Sequence, residues 1–130
     1  MINKENYTES LVSLYHLVSS ADGKVSSMEE KLCELMIESE DISKEQYNGV
    51  MQGFSNLSEA DSYTKTINSL RQCDVDCQTR ILAWARRIAN ADGYMAKEEW
   101  ALIFKIYKKE LDLNLKDIIS CELPLLYDFI

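Results

Sequence analysis

Two stretches carry the residues whose types and spacing suit chemistry. They are Ala21-Asp22-Gly23-Lys24-Val25-Ser26-Ser27-Met28-Glu29-Glu30 and, seventy positions later, Ala91-Asp92-Gly93-Tyr94-Met95-Ala96-Lys97-Glu98-Glu99-Trp100. Each sets an aspartate directly before a glycine and a glutamate six residues after it. Carboxylates so arranged suit a hard cation, which takes several oxygen ligands. They suit local architecture equally well. An Asp before a left-handed Gly is ordinary turn chemistry, and a Glu in the first turn of a helix is favoured by the helix dipole.

The second half of an EF-hand calcium loop fits both copies, with Asp and Gly at positions five and six, an aliphatic residue (Val25 or Met95) at eight and Glu at twelve. Position one would then be Val18 or Ile88, and position three Ser20 or Asn90. The first carboxylate is missing in both, which argues against a standard EF-hand. A different oxygen-ligand site needs the duplication to bring Asp22, Glu29, Asp92 and Glu99 near one axis. In the first copy Ser26 and Glu29 spell a capping box; in the second, Ala96 replaces the serine, so Glu99 lacks the reciprocal hydroxyl that would account for Glu29.

The elements that must position these residues are helices. Leu11, Leu14, Val18 and Ala21, with Tyr15, lie on one helical face that ends at Asp22-Gly23. Met28, Leu32, Leu35 and Met36 form the expected buried stripe of the next helix, with Glu30, Glu34 and Glu38 on another side. Ser43 with Gln46 opens a third, with Tyr47, Val50, Met51 and Phe54 inward; Ser58 with Asp61 opens a fourth, with Ala60, Tyr63, Ile67 and Leu70 inward. Cys73 to Asp76 connects the halves, with Asp74 or Asp76 as N-cap. The pattern then restarts: Leu11 matches Ile81, Leu14 matches Trp84, Val18 matches Ile88 and Glu29 matches Glu99. Asp41-Ile42-Ser43 is echoed, one position late, by Asp112-Leu113-Asn114, with Asn114 as cap of a short seventh helix. One helix pair cannot cover its own apolar faces, so two packed units are expected. The reading is an all-α fold: a single domain over 1–130, with repeats at about 7–55 and 77–121, forming a bundle of about seven helices with pseudo-twofold symmetry.

Composition supports this. Of 130 residues, 46% are hydrophobic and 28% charged, which argues for a globular chain, and 4 Gly with 1 Pro are too few for the tight turns of a sandwich or barrel. The net charge of −8 is uneven, with 5 Lys/Arg against 12 Asp/Glu in residues 1–70 and 9 against 10 in residues 71–130. That balance repels phosphate backbones and anionic lipid, so neither nucleic acid nor a membrane is the expected partner. No stretch has the roughly 20 apolar residues of a membrane span, and the N-terminus lacks the apolar segment of a secretory signal, so a cytoplasmic setting is expected. Cys33, Cys73, Cys77 and Cys121 are then reduced thiols; the spacing of Cys73 and Cys77 is not that of a zinc knuckle. His16 has no partner acid or thiol nearby in sequence and reads as an ordinary helix residue. The apolar tail, Leu123 to Ile130, reads as a last helical turn docked on the core with Pro124 in its first turn, or as a homodimer contact.

Ala-Asp-Gly-x-Val-Ser-x-x-Glu-Glu at 21–30 and Ala-Asp-Gly-x-Met-x-x-x-Glu at 91–99, each ending one helix and opening another, resemble the TerB-like family. That family includes tellurite-resistance proteins and the N-terminal domain of some membrane-bound DnaJ-type co-chaperones. The resemblance covers roughly residues 7–121. It implies an all-helical duplicated fold, an acidic metal site with Asp22, Glu29, Asp92 and Glu99 as ligands, a divalent cation such as calcium as cofactor, and a bacterial stress-response or chemical-defence setting. Ala96, and Trp100 where the first copy has Glu30, depart from the pattern in the second half-site. With no nucleophile–base pair, phosphate loop or His-rich metal helix in the sequence, a non-enzymatic module that binds metal, a protein partner or both is expected. The alternative is a metal-free interaction or co-chaperone-associated scaffold.

Overall fold

A computed structural model describes residues 4–21, 26–91 and 96–127. These residues form α1 (Lys4–Ser20), α2 (Ser27–Ser39), α3 (Lys44–Phe54), α4 (Glu59–Arg71), α5 (Val75–Ala89), α6 (Lys97–Phe104), a π-helical segment (Lys105–Glu110) continuous with α6, and α7 (Leu115–Tyr127). No strand occurs among them, and no helix is long and apolar enough to cross a membrane.

The helices begin where side chains satisfy orphan backbone N–H groups. Ser26 Oγ accepts from Glu29 N at 3.1 Å, Ser58 Oγ from Asp61 N at 3.1 Å, Asp74 Oδ1 from Cys77 N at 2.8 Å and Asn114 Oδ1 from Lys116 N at 2.8 Å. Ser43 and Gln46 form the full reciprocal box at 3.1 and 2.9 Å. Helix α7 is 13 residues long rather than short, and Pro124 lies near its C-terminal end, not in a first turn. The proline removes one N–H from the helical ladder. The carbonyl it leaves belongs to Ser120, and because Ser120 and Pro124 are both exposed, water can satisfy it. Leu125 beside it is buried at 2% exposure, so this end docks on the core; residues 128–130 lie outside the described residues.

The core is built on α1 and α5. Helix α1 packs on α3, α4, α5 and α6, and α5 on α1, α2, α6 and α7. Trp84, Ile81 and Leu82 of α5 and Leu14 and Val12 of α1 are fully buried, each worth about 1.5–3 kcal/mol of apolar transfer. Helices α1 and α5 share one burial pattern. From Tyr7 to Ala21 and from Cys77 to Ala91 the order of buried, half-buried and exposed residues is the same except at Ser10, which is buried, and its counterpart Arg80, which is half-buried.

The one-position lag of Asp112 behind Asp41 has a physical cause. Both aspartates take left-handed backbone, with φ 56° and 52°, just past their helices. In the first repeat Ile42 N–H reaches Ile37 O at 2.9 Å and Asp41 N–H reaches Glu38 O at 3.2 Å, a Schellman closure with Ile42 buried. In the second, Leu113 N–H reaches Tyr107 O at 2.7 Å, one residue farther back. The extra residue is absorbed as the wider turn of Lys105–Glu110, whose closing bond runs from Leu111 N to Ile106 O.

Two inward assignments are corrected, and the end of one helical face is adjusted. Met28 is 44% exposed, because the buried stripe of α2 runs Glu29, Leu32, Cys33, Met36 with Leu35 at its margin; the glutamate, not the methionine, shares the phase of the core residues. Ala60 is exposed because it lies in the N-terminal turn of α4, ahead of the part that meets α1. Ala21 is half-buried, beyond the last residue of α1.

Candidate functional site

Glu29 and Glu99 open α2 and α6 from the same place in each repeat. Among the described residues of their motifs they are the buried carboxylates, at 7% and 2% exposure, while their neighbours Glu30 and Glu98 are exposed. Burial keeps a carboxylate ionised only where hydrogen bonds or positive charge compensate it. The N-terminal end of a helix supplies part of that.

Each glutamate also has local work. Ser26 Oγ caps the Glu29 N–H. In the second copy Ala96 has extended backbone, φ −60° and ψ 147°, close to that of Ser26, but no hydroxyl. Glu99 Oε1 nevertheless accepts the Ala96 N–H at 3.2 Å, so half of the box survives without the serine. Asp22 and Asp92, with Gly23, Gly93, Val25 and Met95, lie outside the described residues. Among the described residues no three His, Cys, Asp or Glu side chains converge as a metal cluster. As hard oxygen donors, each buried at a helix start, Glu29 and Glu99 fit a cation such as calcium in kind.

The family profile described as "Tellurite resistance protein TerB" matches residues 8–122. The chain belongs to the TerB family. Curated proteins gave no match to it, and neither did solved structures. The TerB match begins in the second turn of α1 and ends in α7, so it takes in both Asp-Gly motifs and the helices between.

This TerB chain also holds charged clusters that its sequence did not announce. Glu40, at the end of α2, accepts three donors on one oxygen: Tyr7 Oη at 2.9 Å, Arg80 Nε at 2.6 Å and Trp84 Nε1 at 2.5 Å. Burial chiefly, and then the Glu40 charge and hydrogen bond, push the Tyr7 hydroxyl well above the ordinary tyrosine range. Desolvation pulls the Arg80 guanidinium down, but the hydrogen bond and charge of Glu40 outweigh it and the net shift is upward. Glu110 ends the π-helical segment and plays a like part, taking Tyr63 Oη at 2.6 Å and Arg71 Nη2 at 3.0 Å. Arg86 Nη1 meets the buried Glu122 at 2.6 Å across α5 and α7. Arg80 and Arg86 are thus both committed to ion pairs. The one sequence signal for Glu40 is an acid at a helix C-terminus, where the dipole opposes it, in a helix with no basic residue in its last turn.

The four cysteines are free thiols. Burial raises Cys33, Cys73 and Cys121 above the ordinary thiol range, and burial together with Asp74 pushes Cys77 up to about 11. Protonated thiols are poor nucleophiles and poor metal ligands. His16 is half-buried in the last turn of α1, where its backbone carbonyl receives Ser19 Oγ at 3.2 Å.

Proposed function

We propose that this TerB chain is a non-enzymatic, cytoplasmic module of bacterial stress response in which Asp22, Glu29, Asp92 and Glu99 supply oxygen ligands to a divalent cation such as calcium, and which engages a protein partner. One observation carries the reading. In both repeats the position that starts the buried stripe of the second helix is a glutamate, placed four residues before Cys33 or Ile103 and seven before Met36 or Ile106. An apolar residue there would fold as well without the desolvation cost of a carboxylate. Keeping the acid twice, each time beside an Asp-Gly turn, supports a ligand role.

The competing reading, a metal-free interaction or co-chaperone-associated scaffold, is favoured by the Ala96 N–H bonded to Glu99 Oε1, which gives that carboxylate a capping task. Calorimetric titration of chelator-stripped protein with calcium, then magnesium, zinc and manganese, separates the two. Saturable heat that disappears in Asp22→Asn/Asp92→Asn, with the helical circular dichroism unchanged, is expected. Absence of heat in folded wild-type protein with all four ions would leave the scaffold reading.

A further inference from the structure

A groove lies against α1, lined also by α3 and α4. Helix α1 packs on both α3 and α4, and between these two lies a groove of about 520 Å³, within the range of small-molecule sites. Its charged lining is Glu5 and Glu9 from α1, Glu45 from α3 and Lys65 from α4, three carboxylates against one ammonium. Lys65 Nζ stands 4.6 Å from the centroid of the Phe54 ring and 4.0 Å from Glu9 Oε1. The side chain thus shows what the groove holds well: an alkylammonium over an aromatic face, with a carboxylate beside it.

Two further features shape the groove. Gly49 and Gly53, one turn apart on α3, leave it open; a Cβ at Gly49 would meet nothing within 4 Å, and one at Gly53 would come near only Lys65 Nζ, at 3.9 Å. Thr8, 3% exposed, lines the same groove with an Oγ1 that has no hydrogen-bond partner among the described residues. A buried hydroxyl left so costs free energy that a donor offsets.

We infer that the groove between α1, α3 and α4 is a binding site for a linear polyamine, whose ammonium displaces Lys65 from the Phe54 ring and Glu9 while its other charges meet Glu5 and Glu45. The Lys65 stem is exposed and free to swing into solvent. The inference is independent of the acidic turns and of any cation held there.

Calorimetry of the full chain with spermidine tests it, with magnesium at equal charge as the comparison. Saturable spermidine heat is expected, weakened about three- to tenfold by Phe54→Leu and by Glu9→Gln and strengthened by a similar factor in Lys65→Ala, which removes the internal competitor. Gly49→Leu fills the groove and should abolish the heat while raising helix stability, which separates loss of binding from loss of fold. No spermidine heat in wild type and Lys65→Ala would overturn the inference. So would heat that magnesium suppresses equally and Phe54→Leu leaves unchanged, since that is the behaviour of an unselective acidic surface.

Discussion

Glu40 Oε1 and Trp84 Nε1 meet at 2.5 Å, joining the C-terminal end of α2 to the middle of α5 through an indole that is wholly buried. The same oxygen serves Tyr7 and Arg80, so one carboxylate ties α2 to both central helices. Removing it leaves the Trp84 N–H and the Tyr7 hydroxyl without their acceptor, whereas Arg80, with 43% of its side chain exposed, can turn to water. Glu40→Ala should therefore cost about 2–3 kcal/mol, chiefly from the desolvated donors. Arg80→Met should cost under about 1 kcal/mol, because Glu40 keeps two donors and a half-exposed pair contributes little. Urea midpoints followed by Trp fluorescence give both values; an Arg80→Met loss as large as that of Glu40→Ala would show that the ion pair dominates.

Ala96 already has the backbone of an N-cap and lacks only the side-chain oxygen. Ala96→Ser should place a hydroxyl within reach of the Glu99 N–H, as Ser26 does for Glu29. The expected gain is about 0.5–1 kcal/mol, and Ser26→Ala should lose a similar amount. Thermal melts at fixed pH check both. A neutral Ala96→Ser with a costly Ser26→Ala would mean that the Glu99 N–H gains nothing over its solvation from a hydroxyl at this helix start.

The features legible in the sequence were those whose cause is local. Ser43 with Gln46, Ser58 with Asp61, and Asp74 and Asn114 as caps each act within three residues, so spacing alone reveals them. Glu40 was not legible because its partners lie 33 to 44 residues away and no periodicity links them. Met28 was misplaced because an apolar side chain in the first turn of α2 was given the core, when the phase of Leu32, Cys33 and Met36 puts Glu29 there instead. The lag between Asp41 and Asp112 was visible as an extra residue, but its absorption as a π-helical turn depends on the burial of Ile106 and Tyr107 on one side and Leu113 on the other, which only packing fixes.

That packing makes the insertion removable. Deleting exposed Lys109 would restore the seventy-residue register and let an ordinary helical turn run to Asp112, with Ile103, Ile106 and Leu113 still inward. Circular dichroism should show an unchanged fold, and amide exchange at Leu111 and Leu113 should slow as the wide turn is replaced by the tighter ladder. Unfolding or faster exchange would mean that the wide turn is required, most directly to bring Glu110 to Tyr63 and Arg71.

The last prediction concerns pH. Cys77 is pushed up to about 11 by burial and by Asp74, and Tyr47 to about 12 by burial and by Cys33. In the unfolded chain these groups titrate near about 8.5 and 10. Between those values and the folded ones the native state holds more protons than the unfolded state, so stability falls as pH rises. It is fully present below about pH 8 and is lost progressively toward pH 12. The urea midpoint should be level from pH 6.5 to 8 and lower at pH 10.5. Cys77→Ser and Tyr47→Phe should each flatten the decline, because neither replacement titrates in that range. A midpoint equally low at pH 10.5 in both variants would assign the loss to other groups, first among them Tyr7, Tyr15 and Tyr63, which burial also shifts upward.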